Sequence, residues 1–191
     1  IDFSRPYERL SIAQAIRKHH PEITDATLND RAALIARLNQ GNIAFRTADG
    51  IGGLQLTLFE NTVEDKLIQP TFIVDYPTEV SPLARRSDKN PEITERFELY
   101  IAGREIANAF SELNDPLDQR ERFKEQVQGK NRREEGGGVI DEDFLRALEY
   151  GMPPAAGEGI GIDRLVMIFT DSTSIRDVIL FPQLRPENEG K

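Results

Sequence analysis

Apolar side chains in the first seventy residues recur at helical spacing. The stretch "LSIAQAIRKHHP" has one apolar stripe, with Ser11 and Gln14 spaced for a capping box and Pro21 as a stop. The stretch "DRAALIARLNQG" predicts a second helix that is capped by Asp30 and ended by Gly41. Leucines predict a third helix: Leu54, Leu58 and Leu67. Residues 1–69 are therefore expected to form a helical insertion or connecting region.

After residue 69 the pattern changes to short apolar runs separated by turn residues. "TFIVDYP" predicts one strand, and "RFELYIAGREIANAF" predicts two strands joined at Ala102 and Gly103. "NDPLDQRERFKEQVQG", capped by Asn114 or Asp115, and "DEDFLRALEYG", ended by Gly151, predict helices, with "NRREEGGG" as a disordered or mobile link. "TSIRDVILFP" predicts a helix or turn leading to a strand. The order predicts an α+β fold in which helices pack on an antiparallel sheet.

Charge and composition exclude several classes of protein. The chain carries 24 Lys and Arg against 33 Asp and Glu, a net charge of −9, which argues against a broad basic surface for nucleic acid. The absence of cysteine excludes a disulfide scaffold, a thiolate zinc site and a cysteine nucleophile. The only histidines, His19 and His20, follow a predicted helix, where a solvated pair favoured by the helix dipole is expected rather than a metal site.

Hydropathy and the start of the chain bear on its location. No apolar run approaches the length that crosses a bilayer, and the given residues include no basic and apolar signal segment, although a missing upstream part could carry one. We expect a cytoplasmic protein without a membrane partner.

The stretch "GEGIGIDRLVMIF" places glycines at alternate positions before a predicted helix. A dinucleotide fingerprint starting at Gly157 needs glycine where Ile162 stands, and no Gly-Lys pair of a phosphate-binding loop is present. A strand without side chains on one face lets a flat ligand or another backbone lie against it. Asp163 is expected to cap the following helix and Arg164 to bind phosphate at its N-terminus. Close packing of a helix on a sheet, with Arg164 at the surface, is an equal alternative.

The predicted hairpin brings two carboxylates together. A turn at Ala102 and Gly103 puts Tyr100 opposite Glu105, so Glu98 and Glu105 become diagonal neighbours roughly 7–8 Å apart. Such a pair can hold Mg²⁺ together with phosphates, and a solvated acidic face is the alternative.

Asn108, Phe110 and Glu112 alternate along the second strand and so share one face. An aromatic ring between an amide and an acid suits a small cationic ligand. Simple alternation places these residues on the face opposite Glu105. A single site that includes all of them therefore requires a β-bulge near Ile106 and Ala107.

With these residues identified, the chain resembles the C-terminal part of the catalytic domain of class II lysyl-tRNA synthetases. The resemblance runs nearly continuously over 67–186 and includes "PTFIVDYPTEVSPLARR", "RFELYIAGREIANAFSELNDP" and "ALEYGMPPAAGEGIGIDRLVMIFTDSTSIRDVILFPQLRP". The last segment resembles the third motif of the class, and residues 70–191 would form this part of the domain. The first two motifs and the anticodon-binding domain are not found.

The resemblance implies a function and a role for each site residue. The family activates lysine with ATP and transfers it to tRNA(Lys), as a homodimer with Mg²⁺. Arg164 would bind the terminal phosphate of ATP, and Glu98 and Glu105 the magnesium. The lysine pocket would have these residues, with Glu112 facing the ammonium and the glycines as floor: Asn108, Phe110, Glu112, Gly157 and Gly159. An acid at position 112 favours lysine over the anionic substrate of an aspartyl enzyme.

The sequence departs from the family pattern at several positions. Alanine replaces a common glycine at Ala102, Ala107 and Ala109, Ala155 replaces threonine, and Glu158 replaces a large apolar residue. Since the α-phosphate arginine of the second motif is missing, we expect the chain alone to be inactive. A synthetase-like enzyme that lysylates a protein and a non-catalytic binding module are the alternatives.

Overall fold

A five-stranded sheet organises the chain, and its strands lie side by side in sequence order. The computed structural model describes residues 1–127 and 140–183, so the predicted link "NRREEGGG" lies outside the described residues. The strands are β1 (Glu8–Ser11), β2 (Thr71–Val74), β3 (Arg96–Ile101), β4 (Arg104–Ser111) and β5 (Ala156–Ile160). The helices are α1 (Ile12–His19), α2 (Asp25–Leu28), α3 (Arg31–Gln40), α4 (Ile51–Thr62), α5 (Pro116–Val127), α6 (Glu142–Glu149) and α7 (Ile162–Phe169).

Strand pairing confirms the predicted α+β class. β1 pairs parallel with β2, whereas β2, β3, β4 and β5 pair antiparallel in succession. Because parallel neighbours require a crossover connection, the helices α1 to α4 between β1 and β2 form that connection. The predicted boundary between residues 69 and 70 stays a prediction, and β1 adds one strand from the N-terminal part to the sheet.

Local capping signals place the N-terminal helices. Ser11 and Gln14 form the predicted capping box of α1, and the Asp30 side chain accepts hydrogen bonds at the start of α3, which ends at Gly41. The third predicted helix is α4, but it ends at Thr62. Leu67 follows a separate 3₁₀ turn, Glu64–Lys66, so its assignment to that helix was wrong.

The two histidines lie at the end of α1 as expected, but they are half-buried rather than solvated. His20 Nε2 lies 3.3 Å from the carbonyl oxygen of Thr62. Burial, followed by the charge of Lys18, lowers the pKa of His19 below its usual value. The packing of α1 on α4 therefore removes this pair from open solvent.

One apolar core joins the helical crossover to the sheet. It includes Ile16, Leu54 and Phe59 from the helices and Ile73 and Tyr100 from the sheet. The rings of Phe59 and Tyr100 meet edge to face with centroids 5.6 Å apart. Burial of this size and density is the main source of stability in a domain of this kind. The helices thereby cover one face of β2 and β3.

The hairpin turn docks on the helical crossover. Ala102 and Gly103 both have positive φ, 55° and 68°, as a two-residue hairpin turn requires. Their backbone N–H groups donate to Ile68 and Leu67 carbonyls at 3.0 Å. A Cβ on Gly103 would lie 2.9 Å from the Asp65 carbonyl oxygen, so glycine permits this close approach.

The C-terminal elements follow most of the predicted pattern. Asp115 accepts hydrogen bonds at the start of α5, and α6 is followed by Gly151 at a φ of 104°. The predicted Asp163 cap was wrong, because α7 is capped at Gly161 and Asp163 lies in its first turn. The last predicted segment forms only a 3₁₀ turn, Ile175–Asp177, and no strand follows it within the described residues up to Gln183.

Two features of the described residues concern apolar surface. On α7, Ile162 is 61% exposed and Phe169 is 70% exposed. Within 1–127 and 140–183, no helix combines the length and hydropathy needed to cross a membrane. Exposed apolar side chains also lie outside α7, for example Leu117 at 74% and Phe181 at 93%.

Candidate active site on the β3–β4–β5 face

Cross-strand register places six of the eight predicted site residues in three neighbouring rows: Glu98, Glu105, Asn108, Phe110, Gly157 and Gly159. Arg96, Phe110 and Gly157 are paired across β3, β4 and β5. Glu98, Asn108 and Gly159 are paired in the next row, and Tyr100 is paired with Glu105 in the third. Paired residues in a sheet project to the same side, as do residues two apart on one strand. The rows therefore form one continuous face, called here the site face.

A β-bulge in β4 makes this arrangement possible. Leu99 pairs with Ala107 and Tyr100 pairs with Glu105, which leaves Ile106 as the additional residue. The bulge confirms the prediction made at this position. It switches the alternation of β4 so that Glu105 and Asn108 share a face despite their separation of three residues.

Glu98 is buried at the centre of a hydrogen-bond network. Its side-chain Oε2 accepts from the hydroxyls of Tyr76 and Tyr100, both at 2.6 Å. Its Oε1 accepts from Nη2 of Arg96 at 2.5 Å, and the residue is only 8% exposed. A buried carboxylate is tolerated when donors and a cation satisfy it.

The two tyrosines remain donors in this network. Burial, followed by the charge of Glu98, raises the pKa of Tyr76 and that of Tyr100 far above their usual value. Both hydroxyls therefore keep their protons throughout the physiological range. Glu98 is held in one position by two neutral donors and one cation.

Glu105 and Arg164 meet at the open end of the site face. Nη1 of Arg164, in the first turn of α7, donates to the Glu105 carbonyl oxygen at 2.6 Å and lies 3.4 Å from its Oε2. The side chains are 47% and 37% exposed, so both charges face solvent. An exposed ion pair of this kind contributes little to stability and can be exchanged for another partner.

Glu112 occupies space that Gly157 leaves open. A Cβ on Gly157 would collide with Oε1 of Glu112, whereas a Cβ on Gly159 would have its nearest neighbour, the Asn108 carbonyl oxygen, at 3.9 Å. Among the described residues, none forms a hydrogen bond or ion pair with the half-buried Glu112 carboxylate. This acid therefore has capacity for a cationic ligand.

A cavity adjoins Glu112. Its volume is about 220 Å³, and its lining consists of Arg85, Ser111, Glu112, Asn114, Pro154 and Ala155. Asn108 and Phe110 lie on the site face outside this lining. Of the predicted lysine-binding side chains, Glu112 is the one that borders both the cavity and the site face.

The chemistry of the carboxylates suits a magnesium ion shared with phosphates. Within the described residues, no group of three or more His, Cys, Asp or Glu side chains is arranged to hold a metal ion. Glu98 and Glu105 supply two carboxylates in adjacent rows, and Mg²⁺ commonly binds one or two carboxylates and completes its shell with water and substrate phosphates. Each oxygen of Glu98 offers two lone pairs, so Oε1 retains one after bonding Arg96.

A third acid, Glu64, faces the same region from the helical crossover. Burial, followed by the charges of Glu60, Glu98 and Glu105, raises the pKa of Glu64 above its usual value. The nearby Arg164 acts in the opposite direction. The negative charges of Glu98 and Glu105 on the site face therefore reach the Glu64 carboxyl in the helical crossover.

Comparison with known proteins decides the family. The family model "tRNA synthetases class II (D, K and N)" matches residues 1–185. The chain belongs to the class II tRNA synthetases of this family. Its five-stranded, mostly antiparallel sheet with flanking helices is consistent with the fold of a class II synthetase.

Three curated relatives of the synthetase chain are lysine–tRNA ligases. This chain is 63% identical to lysine–tRNA ligase of Thiobacillus denitrificans over 187 residues and 62% identical to that of Nitrosomonas europaea over 188 residues. A lysine–tRNA ligase of Legionella pneumophila is 60% identical over 185 residues. These alignments cover 97–98% of this chain but only 37–38% of the relatives. The chain thus spans less than two-fifths of their length.

Two side chains that sequence reasoning missed complete the synthetase site face. Arg96 and Tyr100 alternate with Glu98 on β3, so strand periodicity alone was a usable signal for both. Tyr76 lies outside the strands and gave no such signal. Glu158, whose role was open, pairs with Ala109 and therefore projects away from the site face.

Proposed function

We propose that this chain is the C-terminal part of a class II lysyl-tRNA synthetase, which activates lysine with ATP and transfers it to tRNA(Lys). The observation that carries the proposal is the Glu112 carboxylate, which lies over Gly157 beside Phe110 without a partner among the described residues. A half-buried acid next to an aromatic ring and a strand without side chains selects a small cation. The relatives are lysine–tRNA ligases, which agrees with lysine as that cation.

The other charged residues suit ATP. Arg164 lies at the N-terminus of α7, where its fork and the free N–H groups of the helix favour a phosphate. In the ligand-free protein Glu105 holds Arg164, and the exposure of both side chains lets the guanidinium move to a phosphate oxygen. Magnesium, when bound by Glu98 and Glu105, would neutralise charge on the phosphates of ATP.

Catalysis by these groups rests on positioning and electrostatics. The lysine carboxylate itself attacks the α-phosphate, and pyrophosphate leaves, so no protein nucleophile is required. Glu112 would orient the side-chain ammonium, Asn108 and Phe110 would border the amino acid, and Gly157 and Gly159 would let it lie against β5. Arg164 would stabilise charge on the departing phosphates. We further propose that the parent protein is a cytoplasmic homodimer.

A chimera tests the proposal. Residues 1–185 would replace the matching segment of the Thiobacillus denitrificans lysine–tRNA ligase, and lysine-dependent ATP–pyrophosphate exchange would be measured. The chimera should be active, whereas the isolated 191-residue chain should stay near background. The isolated chain lacks the α-phosphate arginine of the second motif, and a group of this kind stabilises the transition state by about 3–4 kcal/mol. A folded chimera without exchange, or robust exchange by the chain alone, would contradict this proposal.

Two substitutions in that chimera assign the roles. Glu112→Gln should raise KM for lysine by about tenfold or more, because an amide cannot neutralise an ammonium. Arg164→Ala should lower kcat by about 10²–10³. Arg146→Ala serves as the control, since the Arg146 side chain is 66% exposed and, among the described residues, pairs locally with Asp143.

A further inference from the structure

Arg96 forms hydrogen bonds with two residues of the site face, Glu98 and Asn108. Its Nη2 donates to Oε1 of Glu98 at 2.5 Å, and its Nε donates to Oδ1 of Asn108 at 3.2 Å. Its Nη1 donates to the Val80 carbonyl oxygen at 3.1 Å and to the Ser81 hydroxyl at 3.0 Å. One guanidinium therefore connects two site residues to the loop that precedes β3.

The position of Arg96 is itself fixed from several sides. Its side chain is 17% exposed, and its guanidinium carbon lies 4.5 Å from the centroid of the Tyr76 ring. Tyr76 also donates to Glu98, so the ring and the carboxylate hold the guanidinium between them. A planar fork held in this way sets the geometry of whatever it binds.

The contact with Asn108 determines how that amide is turned. Nε of arginine can only donate, so the Asn108 atom that faces it is the carbonyl oxygen Oδ1. The amide nitrogen is consequently directed away from Arg96. Among the described residues, none accepts a hydrogen bond from it. Asn108 thus offers donors, and the ligand group that it binds must be an acceptor.

We propose that Arg96 is a positioning residue that fixes Glu98 on the magnesium side and Asn108 on the amino-acid side of one site. This inference rests on the proposed function, although its structural part can be tested without a ligand. Asn108 lies opposite Glu98 in the sheet, and Arg96 reaches it diagonally from the adjacent row. Arg96 couples the two subsites because one rigid group holds a residue of each.

The matched variants are Arg96→Lys and Arg122→Lys. Lysine keeps the charge but cannot form the fork. Arg122 is also a buried arginine, 2% exposed, and it binds Asp118 and the carbonyl oxygen of Ser81. It shares the Ser81 loop with Arg96, but among the described residues it bonds neither Glu98 nor Asn108. Loss of buried arginine contacts is therefore common to both variants, whereas loss of the contact to Asn108 is specific to Arg96→Lys.

The first measurement is the NMR signal of the Asn108 side-chain amide in the ¹⁵N-labelled 191-residue chain, assigned by its disappearance in Asn108→Asp. Arg96→Lys should shift and broaden this signal, and Arg122→Lys should leave it in place. An unchanged signal in a folded Arg96→Lys variant would overturn the proposal. If that variant does not fold, Asn108→Ala decides, because it should shift the Arg96 Nε–H signal and speed its exchange. An unaffected Arg96 signal would refute the contact.

The second measurement is lysine binding followed on the same spectra. Arg96→Lys should weaken lysine binding about tenfold, whereas the lysine affinity of Arg122→Lys should stay within about twofold of that of the unmodified chain. Equal affinity of the parent and Arg96→Lys would refute the positioning role. If the unmodified chain binds no lysine, the proposed lysine site at Glu112 is contradicted, and the amide signals still decide whether Arg96 positions Asn108.

Discussion

The two halves of the site face are built in different ways. In the covered half, β2 and β3 lie under α1 and α4, and Glu98 is buried with three hydrogen-bond donors. In the open half, formed by β4, β5 and α7, Arg164 and Glu105 face solvent and Phe169 is 70% exposed. The covered half keeps fixed geometry, and the open half leaves charged groups accessible to large ligands.

The largest expected difference between the halves concerns apolar packing. Phe59→Ala should lower the free energy of unfolding by about 3–5 kcal/mol, because Phe59 is fully buried against Tyr100. Phe169→Ala, the matched change in the open half, should cost about 0.5 kcal/mol or less. Urea unfolding of both variants measures the loss of free energy of unfolding in each. Similar losses in the two would show that α7 is packed more tightly than its exposure indicates.

A second prediction tests the polar support of the covered half. Tyr100→Phe removes one of the two hydroxyls on Oε2 of Glu98 and should cost about 1–3 kcal/mol, because a buried carboxylate loses a donor. Tyr150→Phe is the control, since Tyr150 is 89% exposed. Urea unfolding at neutral pH compares the two. A neutral Tyr100→Phe would indicate that Tyr76 and Arg96 alone satisfy the carboxylate.

In the open half, two glycines test whether lysine binding depends on the space that Gly157 leaves for Glu112. Gly157→Ala should displace the Glu112 carboxylate and weaken lysine binding by about tenfold, or 1.4 kcal/mol. Gly159→Ala adds the same methyl group without touching Glu112, since its nearest protein atom lies 3.9 Å away, and should weaken lysine binding less than Gly157→Ala does. Calorimetric titration of lysine checks both. Equal affinities would contradict the role of Gly157 as space for Glu112.

Local signals made much of the fold predictable. The capping box at Ser11 and Gln14 and the turn at Ala102 and Gly103 depend on neighbours in sequence, and both formed as expected. The β-bulge was predicted from chemistry, since Glu105 and Asn108 cannot otherwise share a face. Leu67 was misassigned because the 3₁₀ turn Glu64–Lys66 interrupts the apolar spacing.

The hydrogen-bond network of the site was less accessible to sequence reasoning. Tyr76 reaches Glu98 across 22 positions, and this contact depends on sheet order and on the path of the loop between β2 and β3. Arg96 shares its strand face with Glu98, yet nothing local indicates that its fork would reach Asn108. Long-range contacts of this kind follow from tertiary structure, whereas motif spacing identifies only the residues that it contains.

The smallest expected effect concerns the turn that joins the two halves. Ala102 has a φ of 55°, a conformation that costs alanine about 1 kcal/mol and glycine almost nothing. Ala102→Gly should therefore raise the free energy of unfolding by about 0.5 kcal/mol after the greater freedom of glycine in the unfolded chain is subtracted. Gly151→Ala is the reverse control, since Gly151 has a φ of 104° with no atom within 4 Å of an added Cβ. It should be destabilising through backbone strain alone. If urea unfolding shows a loss for Ala102→Gly, the alanine methyl group stabilises the contact between the hairpin and the helical crossover, and the turn belongs energetically to the covered half.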